Sequence, residues 1–171
     1  MKKIISKIFE KIESNCDCTR IIFPEDNNRV KEAKKKLKKM GFKVQDINSF
    51  NLKKTDFCEQ MAKLKFSKNW PEEKVKEFSE NPLNYSLGLI KNNLADACVS
   101  AGNTGALMAL SKIILKMLDG IDRPAICTAL PTKKGIMHML DLGANIQCNS
   151  NHLVQFAHMG DALIHSLEIT E

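Results

Sequence analysis

The run Ala95-Asp-Ala-Cys-Val-Ser-Ala-Gly-Asn-Thr-Gly-Ala-Leu-Met-Ala-Leu-Ser111 is the most constraining stretch of the chain. Ala95 to Ser100 is short, apolar and unbroken, as suits a strand buried on both faces. Gly102, Asn103, Thr104 and Gly105 follow, and Ala106 to Met117 is rich in strong helix formers. A strand, a Gly-rich turn and a helix in that order aim the unpaired N–H groups of the helix start at the carboxyl edge of a sheet. That geometry suits an anion. Asn103 or Thr104 can serve as N-cap, and the missing side chains of Gly102 and Gly105 let a ligand approach the backbone. By composition alone, a tight strand-to-helix connection with no ligand fits equally well.

The rest of the chain alternates strands and helices. Patterning predicts a helix at 3–14, a strand at 20–24, a helix at 27–40 and a strand at 42–47. Asp26 or Asn27 caps the second helix, and Gly41 ends it. Residues 48–70 are polar, with a helix around 55–64. Pro71 at the first helical position opens a helix to about residue 79, and Pro82 another to about 92. After the 95–100 strand come a helix at 104–117, strands at 124–130 and 136–141, and a helix at 150–167. Lys133-Lys-Gly135 fits a hairpin-like turn between the last two strands. The expected fold class is α/β, a three-layer sandwich with a mostly parallel sheet. No linker or repeat divides the sequence, so residues 1–171 read as a single α/β domain.

Charge is unevenly placed. Residues 1–80 hold 20 of the 26 Lys/Arg and 13 of the 20 Asp/Glu, so the whole excess of +6 lies in the front half. Lys34, Lys35, Lys36, Lys38 and Lys39 crowd the helix between residues 31 and 43, either as a solvated face or as an attraction for an acidic partner or an anionic lipid surface. One Trp and one Tyr, with no nucleic-acid motif, speak against nucleic acid. No apolar run approaches the roughly 18 residues that span a bilayer. Residues 1–18 read as an amphipathic helix, with Ile4, Ile5, Ile8 and Ile12 on one face, for packing on the domain or for peripheral membrane contact.

Cys98 and Cys127 sit inside apolar strands as small core residues, while Cys16-Asp-Cys18 lacks the second pair or nearby histidine that zinc would need. His138, His152, His158 and His165 show no i, i+4 spacing, so no metal is expected. A reducing cytoplasm is the expected location.

Ser-Ala-Gly-Asn-Thr-Gly-Ala-Leu-Met-Ala at 100–109 resembles the signature of the bacterial phosphate acyltransferases of phospholipid synthesis, the PlsX family. The resemblance continues through Gly120-Ile-Asp-Arg-Pro-Ala125, Leu140-Asp-Leu-Gly-Ala-Asn145 and His152-Leu-Val-Gln-Phe-Ala-His-Met-Gly160, covering 95–170. The front is different. Arg20-Ile-Ile-Phe-Pro-Glu25 and the helix after it, within 19–94, resemble the opening of the phosphotransacetylases, and the Asp-x-x-Gly-Gly-Asp turn that opens PlsX proteins is missing. The PlsX resemblance also implies a C-terminal half that this sequence does not contain.

Both families imply an isocitrate/isopropylmalate dehydrogenase-like fold, here incomplete. They also imply acyl exchange between a thioester and phosphate without a cofactor. The expected reaction moves a fatty acyl group from acyl carrier protein to phosphate. The alternatives are acetyl-CoA as donor, or an inactive domain that binds acyl carrier protein or a partner subunit. A homo-oligomer or a complementing chain is expected with either.

Such a transfer needs donors around phosphate, donors on the thioester carbonyl oxygen and a proton for the leaving thiolate. Ser100, Gly102, Asn103, Thr104 and Gly105 are the candidate phosphate cradle, with Arg123 as a further partner that could equally salt-bridge Asp119 or Asp122. Asp141 and Asn145, at the end of another strand, are the candidate catalytic groups. Asn145 could orient a substrate oxygen, and Asp141 could equally bond a neighbouring loop. Glu25 receives no role.

Overall fold

A computed structural model of the chain describes residues 19–50, 54–133 and 135–168. The helix expected at 3–14 and the Cys16/Cys18 pair lie outside these. The described residues divide between Leu115 and Lys116 into two compact units.

The first unit runs β1 (Arg20–Ile22), α1 (Asn28–Lys39), β2 (Lys43–Gln45), a 3-10 turn (Ile47–Ser49), α2 (Lys54–Ala62), α3 (Glu72–Glu80), α4 (Pro82–Lys91), β3 (Ala97–Cys98) and α5 (Thr104–Ile114). Its three strands are parallel and lie in the order β2-β1-β3. Side-chain alternation along β1 feeds two separate cores. Ile22 packs with Phe57 and Met61 of α2, Leu89 of α4 and Ile114 of α5. Ile21 and Phe23 pack with Val30 of α1 and Val44 of β2. Helices therefore cover both faces of a parallel sheet, the mixed α/β layering the alternation of elements predicts.

Local chemistry explains the boundaries. Asn27 Oδ1 accepts from Val30 N at 3.1 Å and caps α1, and Lys36, Lys38 and Lys39 lie in its last turn, where the helix dipole favours cations. Gly41 then turns the chain at φ 90°, a region that suits glycine. Asn81 Oδ1 caps α4 through Leu83 N and Asn84 N, with Pro82 at the first helical position. Pro71 sits one residue earlier than the sequence suggests, at the N-cap of α3. Gly88 is a packing requirement, since a Cβ there would lie 2.5 Å from the fully buried ring of Phe57. Across the sheet, Arg20 grips Asp96 with two guanidinium hydrogen bonds of 2.9 and 2.7 Å, and these hold the Asp96 carboxyl well below the usual range.

Two expectations are corrected here. The strand expected over 95–100 is paired only at Ala97 and Cys98, and both are half-buried. β3 pairs with β1 alone among the described residues, so one edge lacks the neighbour that would lengthen and bury it. The helix expected to reach 117 ends at Ile114, and Lys116 adopts φ 70°.

The second unit holds β4 (Thr128–Thr132), β5 (Gly135–Met139) and α6 (Ser150–Glu168). β4 and β5 form an antiparallel hairpin running from Thr128↔Met139 to Thr132↔Gly135. The strand expected from 124 starts at 128 instead, because residues 124–126 are tied to the loop after β5. α6 begins with a reciprocal pair: Asn149 Oδ1 accepts from His152 N at 2.9 Å, and His152 Nδ1 accepts from Asn149 N at 3.2 Å. His152 is thus a capping residue. Among the described residues no helix is long and apolar enough to cross a membrane.

Candidate functional site

The order β2-β1-β3 puts the chain's reversal of direction between β1 and β3. The connections leaving the carboxyl ends of these strands run apart, and in open α/β sheets that divergence opens a crevice for ligands. Glu25 follows β1 at this edge, and the segment 99–103 follows β3.

The two segments are joined through Glu25. Its carboxylate accepts from the Ser100 hydroxyl and, at 3.3 Å, from Ala101 N. Ser100 Oγ in turn accepts from Gly102 N at 3.1 Å, so one hydroxyl links a carboxylate to the backbone of the turn. Gly102 lies in close approach to both groups: a Cβ would stand 2.9 Å from Glu25 Oε1 and 3.2 Å from Ser100 Oγ, so these side chains would have to shift. Asn103 caps α5, its Oδ1 accepting from Ala106 N at 2.9 Å. A Cβ on Gly105 would stand 3.3 Å from that same Oδ1. Ala101 to Gly105 are exposed, and Glu25 and Ser100 are half-buried. The site thus combines a solvent-facing helix start with a fixed carboxylate above it.

Below the turn, Cys98 packs against the core. Burial, and then the negative charge of Glu25, push its thiol up to about 11. At neutral pH it is a protonated thiol and a poor nucleophile.

In the second unit, Asp141 is the acceptor hub of the 140–145 loop. Its Oδ1 accepts from Ile126 N at 2.9 Å and Ala144 N at 3.3 Å, and its Oδ2 from Asn145 N at 2.7 Å and Asn145 Nδ2 at 3.0 Å. Desolvation raises the Asp141 pKa, but these bonds outweigh it and hold the group below its ordinary value. Asn145 Nδ2 also donates to Pro124 O at 2.9 Å, which commits both amide hydrogens. Asp141 thus bonds the neighbouring 124–126 segment through Ile126 N. Arg123 Nη1 donates to Gln147 O at 3.0 Å, and Gln155 takes up Asp122 through its Nε2 at 2.8 Å.

The structure brings Ser100, Gly102, Asn103, Thr104 and Gly105 together in one turn of the first unit, and it groups Asp141 and Asn145 in one loop of the second. Glu25 is the residue that sequence reasoning missed. Its signal was its place directly after the first strand in Phe23-Pro24-Glu25, but its meaning depends on the strand order. A cavity of about 630 Å³ between α2 and α3, lined by Cys58, Ala62, Trp70 and Val75 among others, includes none of the candidate residues. Among the described residues no group of three or more His, Cys, Asp or Glu could hold a metal ion.

The sequence model of the family described as "Fatty acid synthesis protein" matches residues 66–170, which contain the turn and the Asp141 loop. The phosphate acyltransferase of Hydrogenovibrio crunogenus is 51% identical over 98 residues, 57% of this chain and 29% of that protein. That of Herminiimonas arsenicoxydans is 52% identical over 98 residues and 28% of its length. The chain thus spans under a third of the curated relatives it matches. A phosphotransacetylase from Streptococcus pyogenes shares the fold with a TM-score of 0.73 at 19% identity, over 92% of this chain and 56% of that one. The match over most of the chain, with the Ser100–Gly105 turn inside it, means that the chain belongs to the fatty acid synthesis protein family.

Proposed function

We propose that this chain takes part in transfer of a fatty acyl group from acyl carrier protein to phosphate, giving acyl phosphate for phospholipid synthesis. The observation that carries the reading is the turn itself. A solvent-facing start of an 11-residue helix stands at the switch point of a parallel sheet, in a segment about half identical to phosphate acyltransferases. The isocitrate/isopropylmalate dehydrogenase-like architecture is the finer fold we assign, with the phosphotransacetylase-like layering as its support.

In this reading phosphate sits over Gly102, Asn103, Thr104 and Gly105, held by the backbone amides of the first turn of α5, with the Ser100 hydroxyl fixing the turn through Glu25 and Gly102 N. A phosphate oxygen attacks the thioester carbonyl carbon, the C–S bond breaks, and the proton lost by phosphate ends on the departing thiol. No bond to the protein forms, which agrees with a Cys98 thiol that stays protonated. Asp141 and Asn145 act as positioning residues that shape the 140–145 loop, and Arg123 supports the same unit through Gln147. The exposed lysines of α1, among them Lys35, Lys38 and Lys39, offer a positive face to the acidic carrier.

The test is direct. Purified chain, phosphate and palmitoyl-[acyl carrier protein] are mixed, and acyl phosphate and free thiol are measured. Phosphate-dependent thiol release with long-chain donor, and none with acetyl-CoA, supports the proposal. Acetyl phosphate formation without long-chain turnover replaces it with the acetyl reading, and no release with either donor removes it.

A further inference from the structure

The feature that the phosphate reading leaves unexplained is a carboxylate inside an anion site. Glu25 stands over Gly102, close enough that a glycine Cβ would meet Oε1 at 2.9 Å. It is held there by the Ser100 hydroxyl and Ala101 N. These two bonds use about half of the roughly four acceptor positions of an ionised carboxylate. Among the described residues these are its two hydrogen bonds, and the group is half-buried with its neighbours 101–105 exposed.

A carboxylate offers acceptors only, so an anion placed beside it must bring its own O–H donor. If it cannot, two negative charges meet with no hydrogen bond between them. Inorganic phosphate and arsenate keep such an O–H at neutral pH, whereas sulfate does not. We infer that Glu25 is a specificity-determining residue that admits a protonated oxyanion to the turn and rejects a fully ionised one of the same shape. The inference rests on the phosphate-site reading above, and it adds the class of anion that the site accepts and the residue that selects it. Ser100 is the positioning residue in this arrangement. Its single hydroxyl proton goes to Glu25, and its oxygen receives Gly102 N, so the carboxylate is fixed relative to the backbone donors.

The experiment is calorimetric titration of the full chain at pH 7.5 (about neutral, where carboxylates are ionised) with four probes: phosphate, arsenate, sulfate and monofluorophosphate. The last is a phosphate-shaped dianion with fluorine where the O–H would be. A charge-assisted hydrogen bond made by one anion and denied to another corresponds to about tenfold or more in affinity. Phosphate and arsenate are therefore expected to bind at least about tenfold more tightly than sulfate and monofluorophosphate. In Glu25→Gln, whose amide can also donate, the discrimination is expected to fall to within about threefold. Equal binding of all four probes by the unaltered chain overturns the inference and leaves the phosphate site standing. Discrimination that persists in a folded Glu25→Gln also overturns it. If none of the four binds, the phosphate reading itself is removed. The four-probe series on the unaltered chain decides the matter even if Glu25→Gln fails to fold.

Discussion

The hydroxyl of Ser100 donates to the carboxylate of Glu25, which lies 75 positions away in the chain. This bond joins the carboxyl ends of β1 and β3 at the point where the strand order reverses. It also fixes the height of the turn from which α5 starts, since Gly102 N donates back to Ser100 Oγ at 3.1 Å. Removing the hydroxyl leaves the carboxylate with its bond from Ala101 N and frees the Gly102 amide.

Ser100→Ala is accordingly expected to lower stability by about 1–3 kcal/mol, for two hydrogen bonds lost at a partly solvated site, one of them to a carboxylate. Chemical denaturation with an unchanged m-value checks it. A loss beyond about 3 kcal/mol would point to a rearranged turn rather than two missing bonds.

Gly88→Ala tests the packing of α4 on α2. The added Cβ falls 2.5 Å from the Phe57 ring, which is fully buried and stacks edge-on against Tyr85 with centroids 6.1 Å apart. Overpacking of about 1–3 kcal/mol should exceed the few tenths to 1 kcal/mol that Ala gains over Gly in a helix. A lower melting temperature is expected, and an unchanged or higher one would show that the ring has room to move.

Asp141 makes a pH prediction. Its folded pKa is depressed by the backbone and side-chain donors around it, so its contribution to stability is full above the unfolded value of about 3.9 and is lost as pH falls through the folded value. Melting curves between about pH 3 and 6 should drop more steeply below about pH 4 for the unaltered chain than for Asp141→Asn. Parallel curves would show that the loop is indifferent to this charge. Asp96, also depressed by Arg20, contributes the same sign to both proteins and cancels in the comparison.

Thiol labelling separates Cys98 from Cys148. Cys98 is half-buried with its thiol pushed up to about 11, and Cys148 is exposed. Iodoacetamide at about pH 8 should modify Cys148 well before Cys98, read by peptide mass spectrometry. Labelling of Cys98 first would mean an accessible thiolate under the turn and would reopen a covalent mechanism.

Features set within a few residues were legible in the sequence. Asn27 and Asn103, each one of two cap candidates in the sequence, cap their helices, because a cap is decided within three residues. The hairpin turn around 133–135 and the βαβ opening were legible for the same reason. Features set by distant neighbours were not. β3 is shorter and more exposed than its apolar run implies, because strand length depends on the partner at each edge. β4 starts late because Asp141 and Asn145 draw residues 124–126 into a loop. Glu25 had no visible role, since the meeting of residues 25 and 100 is created by strand order alone.

The central claim is that the turn from Gly102 to Gly105 holds phosphate, and phosphate titration of two turn variants tests it most directly. Asn103→Ala removes the acceptor for Ala106 N and should cost about 1 kcal/mol of stability. Gly105→Val places a branched side chain where a Cβ already lies 3.3 Å from Asn103 Oδ1. Calorimetric titration of phosphate, with melting curves beside it, should show at least about tenfold weaker binding by both folded variants, more than the cap alone accounts for. Unchanged phosphate affinity in the two folded variants would contradict the account and leave the turn as a plain connection between β3 and α5.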